Sequence, residues 1–255
     1  MPVQKQVATS RKVSLGTQHL QCRPRQHPHP HHRCTPRKFL DSHPTFCHNQ
    51  DWRGKNDPTT LKGSGSMSTA RITESISVED YLEGELVSSV KHEYIAGAIF
   101  AMVGARNAHN MIAGNVFGTL HSQLRGKPCR PFNSDTKIRV KMPDHRRFYY
   151  PDVSVVCDQN PQADTFQDHP VVVMEVLSAS TRRLDDGEKR DAYFTISSLM
   201  YYILLEQDAA VAVLYQRTGQ QFERRVFRDL DDVITLDSLG VSLPLRELYE
   251  GVVVC

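Results

Sequence analysis

Nowhere in the 255 residues does an apolar run approach the ~20 that a membrane-spanning helix requires. No basic segment followed by an apolar one opens the chain, so no secretory leader is expected. Cysteine is scarce, with six residues and no C-x2-C pair, and a zinc site built on Cys22, Cys34, Cys47 and nearby histidines is not expected. Beyond them, Cys129, Cys157 and Cys255 are odd in number and widely spaced. That spacing argues against a disulfide framework and for free thiols in a reducing compartment, with the cytoplasm as the expected location. No internal repeat is visible, and the formal net charge of +2 excludes a strongly basic or acidic protein.

The near-neutral balance hides two unlike parts. Residues 1–66 carry 11 Lys+Arg, 3 Asp+Glu and 7 of the 12 histidines, whereas residues 67–255 carry 20 Lys+Arg against 26 Asp+Glu. The stretch "RPRQHPHPHHRCTPRK" buries too little apolar surface to order a backbone, and disorder is expected there. A basic nucleic-acid tail is an alternative. The preferred reading makes Met67, after "GSGS", the natural start and residues 1–66 an extension of a single domain spanning 67–255.

Within that domain Ser77, with Asp80 three residues on, opens a short helix as a capping box. "HEYIAGAIFAMV" reads as a hairpin turning at Ala96-Gly97. Ile112, Val116, Leu120 and Leu124 form the stripe of a helix that Gly126 ends. The runs "TKIRVKM", "YYPDVSVVC" and "VVVMEVLS" read as strands, followed by a helix over about 186–195 in which Asp185 and Glu188 have capping-box spacing. "YYILLE", "AAVAVLYQ" and "QFERRVFR" are further strands, and "LPLRELYE" holds a short terminal helix. The order predicts an α/β (α+β) domain with a mixed central sheet flanked by helices.

The run "VVVMEVLS" looks buried on both faces, with Val171, Val173, Glu175 and Leu177 sharing one side. An unpaired carboxylate there costs several kcal/mol, roughly, unless a cation, a network or a proton offsets it. Asp152 opens the preceding strand after Pro151; if the strands are neighbours, both carboxylates converge. Oxygen ligands on rigid strands suit a hard cation such as magnesium. Lys189 lies one short loop beyond Glu175, on one helical face with Tyr193, and could reach back to both acids.

These residues resemble the PD-(D/E)XK nuclease superfamily, and residues 78–250 resemble its Uma-two restriction endonuclease family. The stretches that carry the likeness are "KHEYIAGAIFAM", His109 after "GARNA", "SDTKIRV", "YYPDVSVV", "VVVMEVLSASTRRLD" and "KRDAY". The resemblance implies a restriction-endonuclease-like core and hydrolysis of DNA phosphodiester bonds with magnesium or manganese. Asp152 and Glu175 would be the metal ligands, and Glu93 and His109 further catalytic candidates. Leu177 stands where the superfamily usually has its lysine, and Ala179 where the family commonly has proline. The likeness is to a migrated form in which the later helix supplies the lysine, hence Lys189.

The domain's acidic balance argues against indiscriminate DNA binding. Locally, Lys137, Arg139 and Lys141 alternate on one strand face, where they either contact phosphate or guard an edge strand. Expected partners are DNA and a second copy of the chain, with no membrane. Two alternatives stand beside the endonuclease: an inactive nuclease-like core that binds nucleic acid or protein, and a metal-independent glycosidase built on two carboxylates.

Overall fold

The computed structural model describes residues 75–254. The proposed disordered extension, the start at Met67, Cys22, Cys34, Cys47 and Cys255 lie outside these residues.

Helix α1 (Val78–Val87) begins where Ser77 Oγ accepts from the Asp80 amide at 3.0 Å and donates to the Asp80 carboxylate at 2.7 Å. Strands β1 (His92–Ile95) and β2 (Ala98–Ala101) form the expected hairpin. Its turn places Ala96 at φ 51° and Gly97 at φ 93°, both in the left-handed region that a tight two-residue turn needs. Glycine tolerates this; alanine pays roughly 1 kcal/mol. Ala96→Gly is therefore expected to raise stability by about 0.5 kcal/mol once glycine's extra unfolded-state entropy is subtracted. Chemical denaturation checks this, and a lower midpoint would contradict it.

Helix α2 (Asn107–Leu124) follows, and its stripe of Ile112, Val116, Leu120 and Leu124 is fully buried. Next come β3 (Arg130–Asn133), β4 (Lys137–Lys141), β5 (Arg146–Tyr149), β6 (Val153–Val156), β7 (Phe166–Gln167) and β8 (Pro170–Leu177). A π-helical turn (Leu184–Lys189) runs into α3 (Arg190–Phe194). Strands β9 (Tyr201–Glu206), β10 (Ala212–Thr218) and β11 (Gln221–Phe227) precede a β12 (Val233–Leu236) and β13 (Val241–Pro244) hairpin and α4 (Leu245–Leu248). Strands β3, β5, β7, β12 and β13 are short and, Tyr149 apart, lie outside the runs read as strands; the run "YYPDVSVVC" is interrupted, with Tyr149 ending β5 and β6 starting at Val153.

The main sheet runs β11-β10-β9-β8-β6-β3. It is mixed because β8 and β9 are parallel, joined by a crossover through the π turn and α3. A second sheet runs β2-β1-β5-β4-β7. Strand β8 is covered on both sides, as its composition predicts. Val172, Met174 and Val176 pack with the α2 stripe and the C-terminal hairpin, while Val173 and Leu177 pack with Tyr193 and Tyr149. Val171 departs from the expected alternation. The register slips there, with Val155 facing Val172 and Val156 facing Pro170, and Val171 packs on the α2 side.

Cys129 and Cys157 form a disulfide, which corrects the expectation of free thiols for this pair. They flank the β3–β6 ladder, where Arg130 faces Val156, so a pairing between strands far apart in sequence brings them together. Among the described residues no helix is long and apolar enough to cross a membrane.

Candidate active site

Strands β6 and β8 are antiparallel neighbours, with Val153 facing Met174. That register puts Asp152 beside Glu175. The Asp152 amide donates to Glu175 Oε2 at 3.3 Å, and the Val176 amide donates to Asp152 Oδ2 at 2.7 Å. The two carboxylates converge as the spacing predicts.

Two further elements close the site. The β1 strand pairs with β5 through Tyr94 and Phe148 and carries Glu93 inward. Glu93 is 6 % exposed and accepts from the Tyr150 amide at 3.3 Å. It is a buried group, not an exposed hairpin glutamate. Lys189, at the end of the π turn, directs its ammonium into the cluster: 2.7 Å from Glu93, 3.4 Å from Asp185 and 3.7 Å from Glu175. The π turn widens the helix locally, with Asp186 leaving helical geometry at φ −89°, ψ 22°. Lys189 and Asp185 thereby face the same buried point.

Asp185 is thus not the helix cap that its spacing to Glu188 suggested. It lies within the turn, and Arg183 precedes the turn without a side-chain cap. The i,i+4 relation of Asp185 to Lys189 is the sequence signal that could have revealed it. Gln207, just past β9, is another unforeseen member. It lines the same cavity of about 660 Å³ and its buried Oε1 has no hydrogen-bond partner among the described residues. Only the parallel pairing of β8 with β9 carries it there. His109, in the first turn of α2, sets Nε2 3.2 Å from Asp152 Oδ2, and its buried Nδ1 lacks a partner among the described residues.

Glu93, Asp152, Glu175 and Asp185 thus share one ammonium and one imidazole. Burial raises Glu175 well above the usual carboxylate range, Lys189 offsetting only part of it, and the neighbouring acids add to the rise. Glu93 and Asp185 are raised by burial in the same way. Burial opposes the charge on Lys189, but Glu175, Glu93 and Asp185 outweigh it and raise its pKa. The His109 ring follows the same logic: burial alone would push it down, yet the hydrogen bond and charge of Asp152 raise it.

The cluster is short of positive charge, and Glu175 Oε1 and Asp185 Oδ1 are buried with the one Lys189 ammonium, 3.7 and 3.4 Å away, shared between them. Hard oxygen donors with unsatisfied lone pairs suit a small divalent cation. No three His, Cys, Asp or Glu side chains among the described residues are arranged to hold a metal by themselves.

Of the three basic residues on β4, Lys137 is buried, Arg139 half-buried and Lys141 exposed. Lys137 is buried and donates to the Tyr150 hydroxyl at 3.2 Å. Arg139 makes a two-pronged contact with Asp168, at 2.7 and 2.6 Å, and Lys141 reaches the same carboxylate at 3.1 Å. The three share a strand face as expected; Asp168 holds Arg139 and Lys141, while Lys137 turns into a neighbouring cavity.

Comparison with known proteins accords with this architecture. An uncharacterized protein of Synechocystis sp. is 32% identical over 177 residues, covering 69% of this chain and 92% of its own. A second uncharacterized protein from that organism is 28% identical over 158 residues, 61% of this chain and 88% of its own. The fold resembles the crystal structure of a "putative nuclease belonging to DUF820" from Anabaena variabilis, with a TM-score of 0.52 and 17% identity over 64% of this chain and 92% of that one. At that identity the likeness concerns the restriction-endonuclease-like fold. The sequence also matches the Uma2 family, described as "Putative restriction endonuclease", over residues 78–246. This span contains every residue of the site from Glu93 to Gln207, and the chain belongs to the Uma2 family.

Proposed function

We propose that the protein is a metal-dependent endonuclease that hydrolyses phosphodiester bonds of DNA. The observation that supports this most is the insertion of the Lys189 ammonium among Glu93, Glu175 and Asp185, beside Asp152. Asp152 and Glu175 would hold a magnesium or manganese ion. When bound, such an ion lowers the pKa of a coordinated water and stabilises charge on phosphoryl oxygens.

The chain's own groups do the rest. Lys189, clamped by Glu93 and Asp185, stays protonated and orients the attacking water while offsetting charge that grows on the phosphate. Its position on the helix after the glutamate strand makes good the lysine absent at Leu177. Glu93 and Asp185 act as positioning residues for that ammonium. His109 holds Asp152 in place through Nε2, and the carboxylate in turn raises the pKa of the ring. A second copy of the chain is proposed as a partner, which would present one such site to each strand of a duplex.

Plasmid DNA incubated with the protein and magnesium is expected to be nicked and linearised, and excess chelator is expected to stop the reaction. Activity that survives the chelator would point to the metal-independent glycosidase type of chemistry. An intact plasmid together with no magnesium-induced rise in melting midpoint would favour the inactive binding core.

A further inference from the structure

Next to the active-site cavity lies another of about 710 Å³, within the size range of small-ligand sites. Lys91 and Tyr150 line both cavities, so the two adjoin. This neighbour is a built site. Lys137 and Tyr150 are each 5 % exposed, and the Glu85 side chain 2 %.

Its charges do not balance group by group. Glu85 accepts from His92 Nδ1 at 2.8 Å, from the His92 amide at 3.2 Å and from the Tyr150 hydroxyl at 2.7 Å. Asp135 is held by Lys91 at 2.5 Å, and Asp164 accepts from the Asn160 side chain at 3.1 Å. Lys137 has no carboxylate at ion-pair distance among the described residues. Its ammonium makes one hydrogen bond, to the neutral Tyr150 hydroxyl, and sits 5.2 Å from the Tyr150 ring centre and 5.9 Å from that of Tyr81. An ammonium has three donors, so donor capacity remains for a ligand. Burial outweighs the attraction of Glu85, which reaches Lys137 only through the Tyr150 hydroxyl, and lowers the Lys137 pKa, a cost that a bound anion would relieve.

The spacing says which anion. Ile138 faces Tyr149 across β4 and β5, so Lys137 stands opposite Tyr150, two residues before Asp152. Tyr150, whose hydroxyl the Lys137 ammonium contacts, lines the active-site cavity as well, so this cation stands on the side of its cavity that adjoins the catalytic carboxylates.

We propose that this cavity receives a second phosphate of the same nucleic-acid strand, flanking the scissile one, with Lys137 as its cation. Resting on the endonuclease reading, it adds a substrate subsite to it. Thr136 lines the cavity and supplies a hydroxyl donor beside the phosphate and sugar.

Calorimetric titration of the full chain with magnesium tests this, using thymidine 3′,5′-bisphosphate and thymidine 5′-monophosphate as probes. The wild type is expected to bind the bisphosphate at least about tenfold more tightly, as expected for one added charge-assisted phosphate contact. Lys137→Met should erase that difference and leave the monophosphate affinity unchanged. Lys137→Gln serves as a second variant, and thermal unfolding shows which of the two remains folded. Equal affinity of the wild type for both probes, or an unchanged preference in a folded Lys137 variant, would overturn the subsite. Plasmid cleavage is read separately. Cleavage with no bisphosphate preference sinks the subsite alone, whereas a Lys137-dependent preference without cleavage keeps the phosphate site and sinks the endonuclease.

Discussion

Asp152→Asn and Glu175→Gln are each expected to lower magnesium-dependent cleavage by about 10²–10³-fold or more, because each removes several kcal/mol of metal-mediated charge stabilisation. Both substitutions keep the side-chain shape, and the amide oxygens can still accept from the Asp152 and Val176 amides, so the fold should persist. In stability the two variants part ways. Glu175 is buried and its pKa is raised, chiefly by burial, so the metal-free wild type is favoured below the ordinary value of 4.5. That advantage is lost as pH rises from there through the folded-state pKa. Glu175→Gln has no such loss and, in chelator at neutral pH, should be more stable than the wild type by roughly 1–3 kcal/mol. Magnesium should raise the wild-type midpoint by mass action and do little for either variant. Thermal unfolding across pH, with and without chelator, alongside plasmid cleavage, reads all of these effects. Wild-type turnover in either variant would remove both carboxylates from the mechanism.

Lys189→Met is expected to act twice. It should cost about 10²–10³-fold in turnover, the usual loss when a preorganised group facing developing charge is removed. It should also cost about 3–5 kcal/mol of stability, because Glu93, Glu175 and Asp185 are left buried without their cation. Magnesium should recover more of the melting midpoint in this variant than in the wild type, since it offsets the charge that the lysine no longer does. Should the methionine variant fail to fold, Lys189→Gln in magnesium provides the turnover measurement. A destabilised variant with undiminished turnover would make Lys189 a structural counter-ion and leave the attacking water to another group.

Much of the scaffold is legible in the chain because its signals are local. Ser77 and Asp80 start a helix by a bond across three residues. The α2 stripe is a periodicity, and the Ala96-Gly97 turn is a matter of two backbone angles. Part of the chemistry of the centre is legible too: a carboxylate in the middle of an apolar strand demands a partner. Asp152 follows from strand spacing and Lys189 from spacing together with the family resemblance, and both lie beside Glu175.

What tertiary structure alone decided is the accounting of charge, because it depends on which strands pair. Asp185 looks like a cap until the π turn directs it at Lys189. Gln207 is an unremarkable residue after a strand until β9 lies parallel to β8. Cys129 and Cys157 join only through the β3–β6 ladder. Lys137, Arg139 and Lys141 alternate in the sequence as an exposed basic face would. Folding gives Arg139 and Lys141 to Asp168 and leaves Lys137 in a cavity without an ion pair of its own among the described residues. Side-chain period is a property of one strand, but whether a charge meets a counter-charge, water or a substrate is set by neighbours that the chain brings in from far away.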